Sequence, residues 1–563
     1  MFLERAKNEA FWQNVKTSDN YRFIREELLA LWEKDSLAAL EVLSYSDFIL
    51  FNVNGNRSVY EAKYFTRRRG LNAAAILSLI YPENQEYINR LHDIIFAICD
   101  EYTWSVPAHQ ATFEAECTDH LDLFATETGF ALAEIDELLG DRLSPLVRDR
   151  IDKNLHRRII TPYMDEKRDF WWYRSENNWS AVCMCSVAAV LMYRAPELFY
   201  RAKPRIDATM DYFLSGFGED GYCLEGIGYW RYGFGFYTVY ADMVRDFTQG
   251  KENPFKLPKV KKIATFYQKV FLHGHATISF SDGSRSAKTS AGLSHYLHKE
   301  YGDEVLPLRD DDARSCDNCG RWCLHIRDIV WLQDYGQITP PARSVYYGED
   351  AQWFIFKTER FGFAAKAGYN EEPHNHNDIG QFILAMDERQ IFADLGAGVY
   401  EKAYFRAERY TYLVCASFGH SVPIFYDGEQ ALYQKNGAQY KATGVYADDH
   451  RFAFDMAGAY SDERVSCVQR EFTLSDDTIV LHDSFVLADG VSAEERFILL
   501  EEPTITEQGF TVAGLSCRVE GEGAQVSCKK TEYIGHSGTP VPFWMVNVSL
   551  SQNAREMTMT ITL

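Results

Sequence analysis

At 563 residues the chain is long for one hydrophobic core and predicts more than one domain. Its 46% hydrophobic and 25% charged residues are the composition of an ordered globular protein, which excludes disordered, collagenous and disulfide-scaffold chains. A net charge of -23 argues against sequence-independent DNA or RNA binding, which needs clustered Lys and Arg to meet phosphates.

The first segment, "MFLERAKNEAFWQNVK", is charged within a few residues and lacks the apolar run of a signal peptide or a membrane span. As written it reads as cytoplasmic, or as periplasmic or secreted if a signal was removed, and it predicts no membrane partner. The 12 Cys are scattered, and a chain this large needs no disulfides, so buried, reduced thiols are expected. "YFTRRRG" then places Arg67, Arg68 and Arg69 together. Two readings fit: a solvated helix end, or a local basic site for an acidic ligand.

From the N-terminus to about residue 335 the apolar spacing is helical, as in Ile88, Leu91, Ile95 and Ile98. Similar segments recur at helix-hairpin distances, which predicts many antiparallel helix pairs. After about residue 345 the period changes to two, in "QWFIFKTERFGFAAKAG", "DTIVLHDSFVL" and "EMTMTITL". The expected architecture is therefore α+β and multidomain, with a helical domain over 1–340 and an antiparallel β domain over 345–563. Pro340 and Pro341 break any helix at the joint.

Five motifs are candidates for chemistry. Asn177 and Asn178, in "SENNWSAV", precede a helical run and fit either a sugar cleft or an N-cap. "DGYCLEGIGYWRYGFGF" mixes glycines with Tyr229, Trp230, Tyr232 and Phe234, which is poor core material and suggests a binding loop. Cys316, Cys319, Cys323 and His325 hold zinc-type ligands, but the paired-knuckle spacing is missing and a chance cluster is the favoured reading. "GFGEDG", residues 216 to 221, fits GxGxxG but follows a helical segment where a dinucleotide site needs a strand. In "EPHNHNDIGQF", His374, His376 and Asp378 alternate, so an extended backbone would bring them to one side around a cation or a polar network.

Together these residues resemble the heparinase II/III-like polysaccharide lyases, a group that includes heparinases and related alginate and chondroitin or hyaluronan lyases. The resemblance rests on "HNHNDIGQFILAMDERQIFADLGAGVY" and "SFGHSVPIFYDGEQ" in the β half, and on the Asn pair and "EGIGYWRYGF" in the helical half. It implies an incomplete α/α toroid followed by an antiparallel β-sandwich, with the substrate cleft between them. The implied reaction is β-elimination across the glycosidic bond of a uronate, in an acidic polysaccharide or oligosaccharide.

By that resemblance Asn178 takes the carboxylate-neutralising position, with Asn177 as its fallback. Trp179 stands where several relatives have His, so an imidazole expected there is missing. Tyr232 is the first choice for the catalytic tyrosine and Tyr229 the competing one; His374 reaches into the cleft. Trp179, Trp230, Tyr400 and Arg406 are implied substrate contacts. By residue type Arg67, Arg68 and Arg69 would meet sulfates, which leans the reading toward glycosaminoglycans over alginate. His376, Asp394 and His420 are the implied ligands of a divalent metal, zinc by ligand type, in a structural role, with Asp378 orienting one histidine. If His374 faces a sugar and His376 a metal, the segment must leave strand geometry between them. A toroid glycoside hydrolase would instead use paired carboxylates among Glu219, Asp220 and Glu225, and a non-catalytic sugar-binding protein would keep the aromatics without turnover. No motif specifies an oligomeric state.

Overall fold

The computed structural model describes residues 3–110, 118–310, 315–336, 341–552 and 554–563. The chain forms two compact units: Met1–Phe217 with Trp230–Ala264 and Lys288–Ile338, and Gly218–Tyr229 with Thr265–Ala287 and Thr339–Leu563.

The first unit is helical. Several of its helices start at side-chain caps that the sequence supplies: Asn84 caps Gln85–Cys99, Asp122 caps Leu123–Leu139 and Asn177 caps Asn178–Arg194. Gln85–Cys99 buries one stripe of Ile88, Leu91, Ile94, Ile95 and Ile98. Leu123–Leu139 and Asn178–Arg194 are buried almost all round, as expected of helices apolar on every face. Among the described residues no helix is long and apolar enough to cross a membrane.

Three implied sugar contacts, Arg67, Arg68 and Trp230, belong to this interior. Arg67 and Arg68 are not at a helix end but inside Ser58–Ile80, buried, with both guanidinium groups on the Glu101 carboxylate. Arg69 is taken by Asp35. A buried cation already paired leaves no charge for a sulfate, so the sulfate-binding expectation for Arg67 and Arg68 is withdrawn. Trp230 is fully buried and its indole N–H donates to the Ile263 carbonyl at 2.9 Å, the position of a core tryptophan and not of a stacking platform.

The second unit is built on two antiparallel sheets. One runs in the order Gln430–Leu432, Ile424–Asp427, Val491–Leu499, Arg389–Phe392, Phe382–Met386, Gly362–Lys366, Trp353–Thr358, Arg343–Gly348, and Pro540–Ser549 and Gln525–Ile534 extend it from Val491–Leu499. The other centres on Val465–Leu474, Thr478–Leu487 and Glu556–Thr562. Their inner faces share one core, in which Phe354 stacks on Phe452 at 5.4 Å and Phe363 meets Phe472 at 5.2 Å.

The alternation expected of strands is clear in Val465–Leu474 and Thr478–Leu487 but absent from Gly362–Lys366, where every residue is buried. The reason is a second cover. A Cβ on Gly362 would lie 2.4 Å from the Leu272 carbonyl oxygen, and Lys357 Nζ donates to the carbonyls of Gln268 and Phe271. Residues 265–287, which read as helical territory, thus lie on the outer face of the first sheet.

Candidate active site and metal centre

In the second unit the "HNHND" segment is a turn, and His374 has a left-handed φ of 57°. The departure from strand geometry that two separate histidine roles require is therefore present. Both imidazoles nevertheless meet one carboxylate. Asp282 Oδ2 accepts from His374 Nδ1 at 2.7 Å, and its Oδ1 accepts from His376 Nε2 at 3.1 Å. Tyr404 hydroxyl donates to Oδ1 at 2.6 Å, while Tyr400 hydroxyl and Arg409 Nη2 donate to Oδ2 at 3.0 Å each. Burial alone would raise the Asp282 carboxyl, but the hydrogen bonds from both histidines and the Arg409 charge outweigh it and hold it far below the usual carboxylate range. The His374 side chain keeps 24% exposure, whereas that of His376 has none.

Tyr229 stands beside this group, its ring 4.6 Å from that of His374 and its hydroxyl 3.1 Å from that of Tyr400. Since the single Tyr400 proton goes to Asp282, Tyr229 must be the donor to Tyr400. Burial pushes the hydroxyls of Tyr229 and Tyr400 up, so both stay neutral phenols. Arg406, the expected cleft residue, is exposed; Arg409 is the arginine that joins the network.

His376, Asp394 and His420 converge, with one ligand atom from each lying within 4.8 Å of the others, and all three are buried. Their hydrogen bonds fit a bound cation. Asp282 takes the His376 Nε2 proton, which leaves Nδ1 as a buried lone pair with no partner among the described residues. His420 Nε2 donates to the Val414 carbonyl at 2.9 Å, so Nδ1, 3.1 Å from Asp394 Oδ2, sets a lone pair against a carboxylate unless a proton or a metal lies between.

Asp378 does not orient a histidine. It accepts from Lys366 Nζ at 2.9 Å, and Glu372 accepts from the same ammonium at 2.7 Å, all three side chains being buried. The strongest nearby donor is a cation, and a carboxylate in the interior goes to it.

The first unit holds a second cluster. Asn177 spends its side-chain oxygen on the Trp179 backbone N–H at 3.0 Å, as a helix cap. Asn178 is the first helical residue, half-buried, and its amide has no hydrogen-bond partner among the described residues. Gly233 packs against it, a Cβ there lying 3.1 Å from Asn178 Cβ. Tyr232 donates its hydroxyl to Glu127 Oε1, and the Arg321 guanidinium lies 3.9 Å from the ring centroid. Burial, reinforced by Glu127, raises the Tyr232 hydroxyl despite Arg321, so the cationic environment does not make it a phenolate. The Trp179 ring is 4.8 Å from those of Trp171 and His109, and His109 Nδ1 is 2.9 Å from Asp122. An imidazole absent from the sequence position of Trp179 is thus supplied beside it by another loop.

Burial pushes the Glu127 carboxyl up to about 7 against the pull of Arg321 and the Tyr232 hydrogen bond. A carboxyl with its folded value above the ordinary 4.5 binds its proton more tightly in the native state, so its contribution to stability is complete below pH 4.5 and declines as pH rises to 7. The full change is roughly 3 kcal/mol. Relative to the parent protein, a Glu127→Gln variant should therefore melt a few degrees higher at pH 8 than the same comparison gives at pH 4. Melting curves of the two proteins that run parallel across this range would refute it.

Sequence reasoning missed Asp282, Glu127, Arg321, Tyr404 and Arg409. The one local signal was "SFSDGSR", an Asp-Gly turn inside apparently helical sequence. Of the hydrolase carboxylates, Asp220 is consumed in a loop, where Oδ2 accepts from the backbone N–H groups of Asp350 and Ala351, and Glu219 is exposed. Glu225 is buried, within electrostatic reach of His374 and Asp282. Cys316, Cys319, Cys323 and His325 are not among the metal-type groupings of the described residues. His325 is a buried helix residue against Asn72.

The family described as "Heparinase II/III-like, C-terminal" matches residues 340–559. Among solved structures the chain is similar to a heparinase III, at 12% identity and a TM-score of 0.61, over 98% of this chain and 91% of that one. It is similar to a mutant heparan sulfate lyase from Pedobacter heparinus, at 12% identity and a TM-score of 0.60, over 96% and 82%. A mutant chondroitin AC lyase from Streptomyces coelicolor A3 matches at 10% identity and a TM-score of 0.53, over 100% and 82%. At these identities the likeness is one of fold: a helical toroid followed by antiparallel β-sheets. No curated protein matches the sequence.

Proposed function

We propose that this chain, whose residues 340–559 are a heparinase II/III-like C-terminal domain, is a lyase of uronate-containing polysaccharides or oligosaccharides, with glycosaminoglycans as the first substrate class. The observation that carries the reading is His374: a partly exposed imidazole in a left-handed turn, its Nδ1 hydrogen-bonded to Asp282 and its Nε2 the nitrogen left for a substrate. The solved lyases that share the fold add support, being heparan sulfate and chondroitin lyases.

In β-elimination the C5–H bond breaks, its electron pair forms the C4–C5 double bond, and the C4–O bond breaks with the leaving oxygen protonated. The C5 proton is weakly acidic, so the adjacent carboxylate must be neutralised first. The amide of Asn178, which has no hydrogen-bond partner among the described residues, suits that task. Removal of the C5 proton needs a base, and the candidate base of the second unit is His374 through Nε2. Tyr232, a neutral phenol, gives its proton to the leaving oxygen and recovers one from Glu127, whose carboxyl is half protonated near neutral pH. Neither candidate tyrosine is a base here, because burial keeps both hydroxyls protonated.

The test is ultraviolet absorbance of the conjugated unsaturated uronate, with heparan sulfate, chondroitin sulfate, hyaluronan and alginate offered in parallel. No absorbance rise on any of them would end the lyase reading, and a rise on alginate alone would move the substrate class.

His376, Asp394 and His420 would hold the metal, for which two imidazoles and a carboxylate suggest zinc. Bound there, it would supply positive charge to an interior that buries the carboxylates of Asp282, Glu372, Asp378 and Asp394. The ligands are fully buried, which suits a role in ordering the His374 turn. Purified protein is expected to carry about one divalent metal per chain and His420→Ala to lose most of it; equal content by elemental analysis would refute the assignment.

A further inference from the structure

We infer that Asp282 is the positioning residue of the second-unit site, fixing the tautomer and direction of the His374 imidazole and the order of the Tyr229–Tyr400 phenol pair. Five donors converge on it, and an ionised carboxylate offers about four lone-pair directions, so its acceptor capacity is full. Oδ2 holds His374 and Tyr400, the two partly exposed partners, together with the buried Arg409, while Oδ1 holds the fully buried His376 and Tyr404.

The backbone is strained to put the carboxylate there. Ser281, immediately before it, has a φ of 58°, and His374, which it binds, has 57°; neither is a glycine. Left-handed residues with side chains cost about 1 kcal/mol or more each and persist where surrounding structure over-determines them. The surroundings do so here. Gly396, at φ 66°, brings its Cα so close to Gly283 that a Cβ would lie 2.2 Å from the Gly283 carbonyl oxygen, and Gly226 approaches Gly283 from another segment. An aspartate on a turn clamped by two glycine contacts cannot swing away from its donors.

The consequence is a fixed proton order. With Nδ1–H committed to Asp282, the His374 lone pair is at Nε2. With Tyr400 donating to Asp282, Tyr229 donates to Tyr400, and its own lone pairs are left for a ligand. Asparagine at 282 would present an amide N–H to donors on one side and lose the charge that aligns them.

The activity readout rests on the lyase reading; a second readout does not. In the metal-loaded Asp282→Asn protein, kcat should fall about 100-fold with KM within about threefold of the parent. In side-chain nitrogen NMR of isotope-labelled histidine, the His374 signal, identified by its loss in His374→Gln, should change from the Nδ1-protonated pattern to a mixture of tautomers. An unchanged kcat or an unchanged His374 tautomer would overturn the inference. If the parent turns over no uronate, the lyase reading fails and the tautomer alone decides on Asp282. If Asp282→Asn gives no cooperative melt, Tyr400→Phe decides instead: a fall in kcat of about tenfold at constant KM supports the ordered pair, and a kcat equal to the parent's overturns it.

Discussion

Tyr232→Phe is expected to lower kcat for uronate elimination by 10²- to 10⁴-fold, about the worth of a general acid, with KM changed by less than about threefold. The substitution removes one oxygen and keeps the ring on which the Arg321 guanidinium sits, so the helix Ile227–Phe247 should keep its packing. What is lost is the proton shared with Glu127. Tyr229→Phe should cost less, about tenfold, because its hydroxyl is neutral and donates into the Tyr400–Asp282 chain. The pair of variants separates the two assignments: near-full activity in Tyr232→Phe with a large loss in Tyr229→Phe would move the acid to Tyr229. Initial rates across substrate concentration on the best uronate substrate are the measurement.

Lys366→Met should destabilise the second unit by about 3–5 kcal/mol, the cost of removing one partner from a buried ionic group. Lys366 is fully buried at the end of strand Gly362–Lys366, between Glu372 and Asp378. Each carboxylate already has one oxygen without a partner among the described residues, Oε1 of Glu372 and Oδ2 of Asp378. Methionine fills most of the lysine volume, so the loss would be electrostatic and would not be a cavity effect. A triple variant that adds Glu372→Gln and Asp378→Asn should recover most of the stability, because no uncompensated charge remains. Denaturant midpoints of parent, single and triple variants test this; a single variant within about 1 kcal/mol of the parent would show that the lysine does not hold the carboxylates.

Much of the fold is legible in the sequence, and for a local reason. Caps such as Asn84 and Asp122, the three-to-four-residue apolar spacing of Gln85–Cys99 and the alternation of Val465–Leu474 are short-range properties of the chain. The histidines and Asp394 of the second unit were legible too, as a motif within a few tens of residues. Gly362–Lys366 was weakly marked because it is covered on both faces, which erases alternation.

The partners of these motifs were not legible, since they are set by segments far apart in sequence. Asp282 lies 92 positions from His374 and 127 from Arg409, and Glu127 lies 105 from Tyr232. Arg67, Arg68 and Trp230 show the reverse case: residue types that suit a sugar site, assigned to the interior by Glu101 and by the Ile263 carbonyl. By itself the sequence determined the helices, most strands and the order of helical and β regions, because periodicity and capping act within one or two turns of chain, whereas the metal-type ligands were implied by the family resemblance of the motif around them. Only the tertiary structure decided which carboxylate each histidine and tyrosine serves and which arginines are spent in the core. A buried charge goes to the nearest opposite charge in space, and that distance is not written in the spacing of residues along the chain.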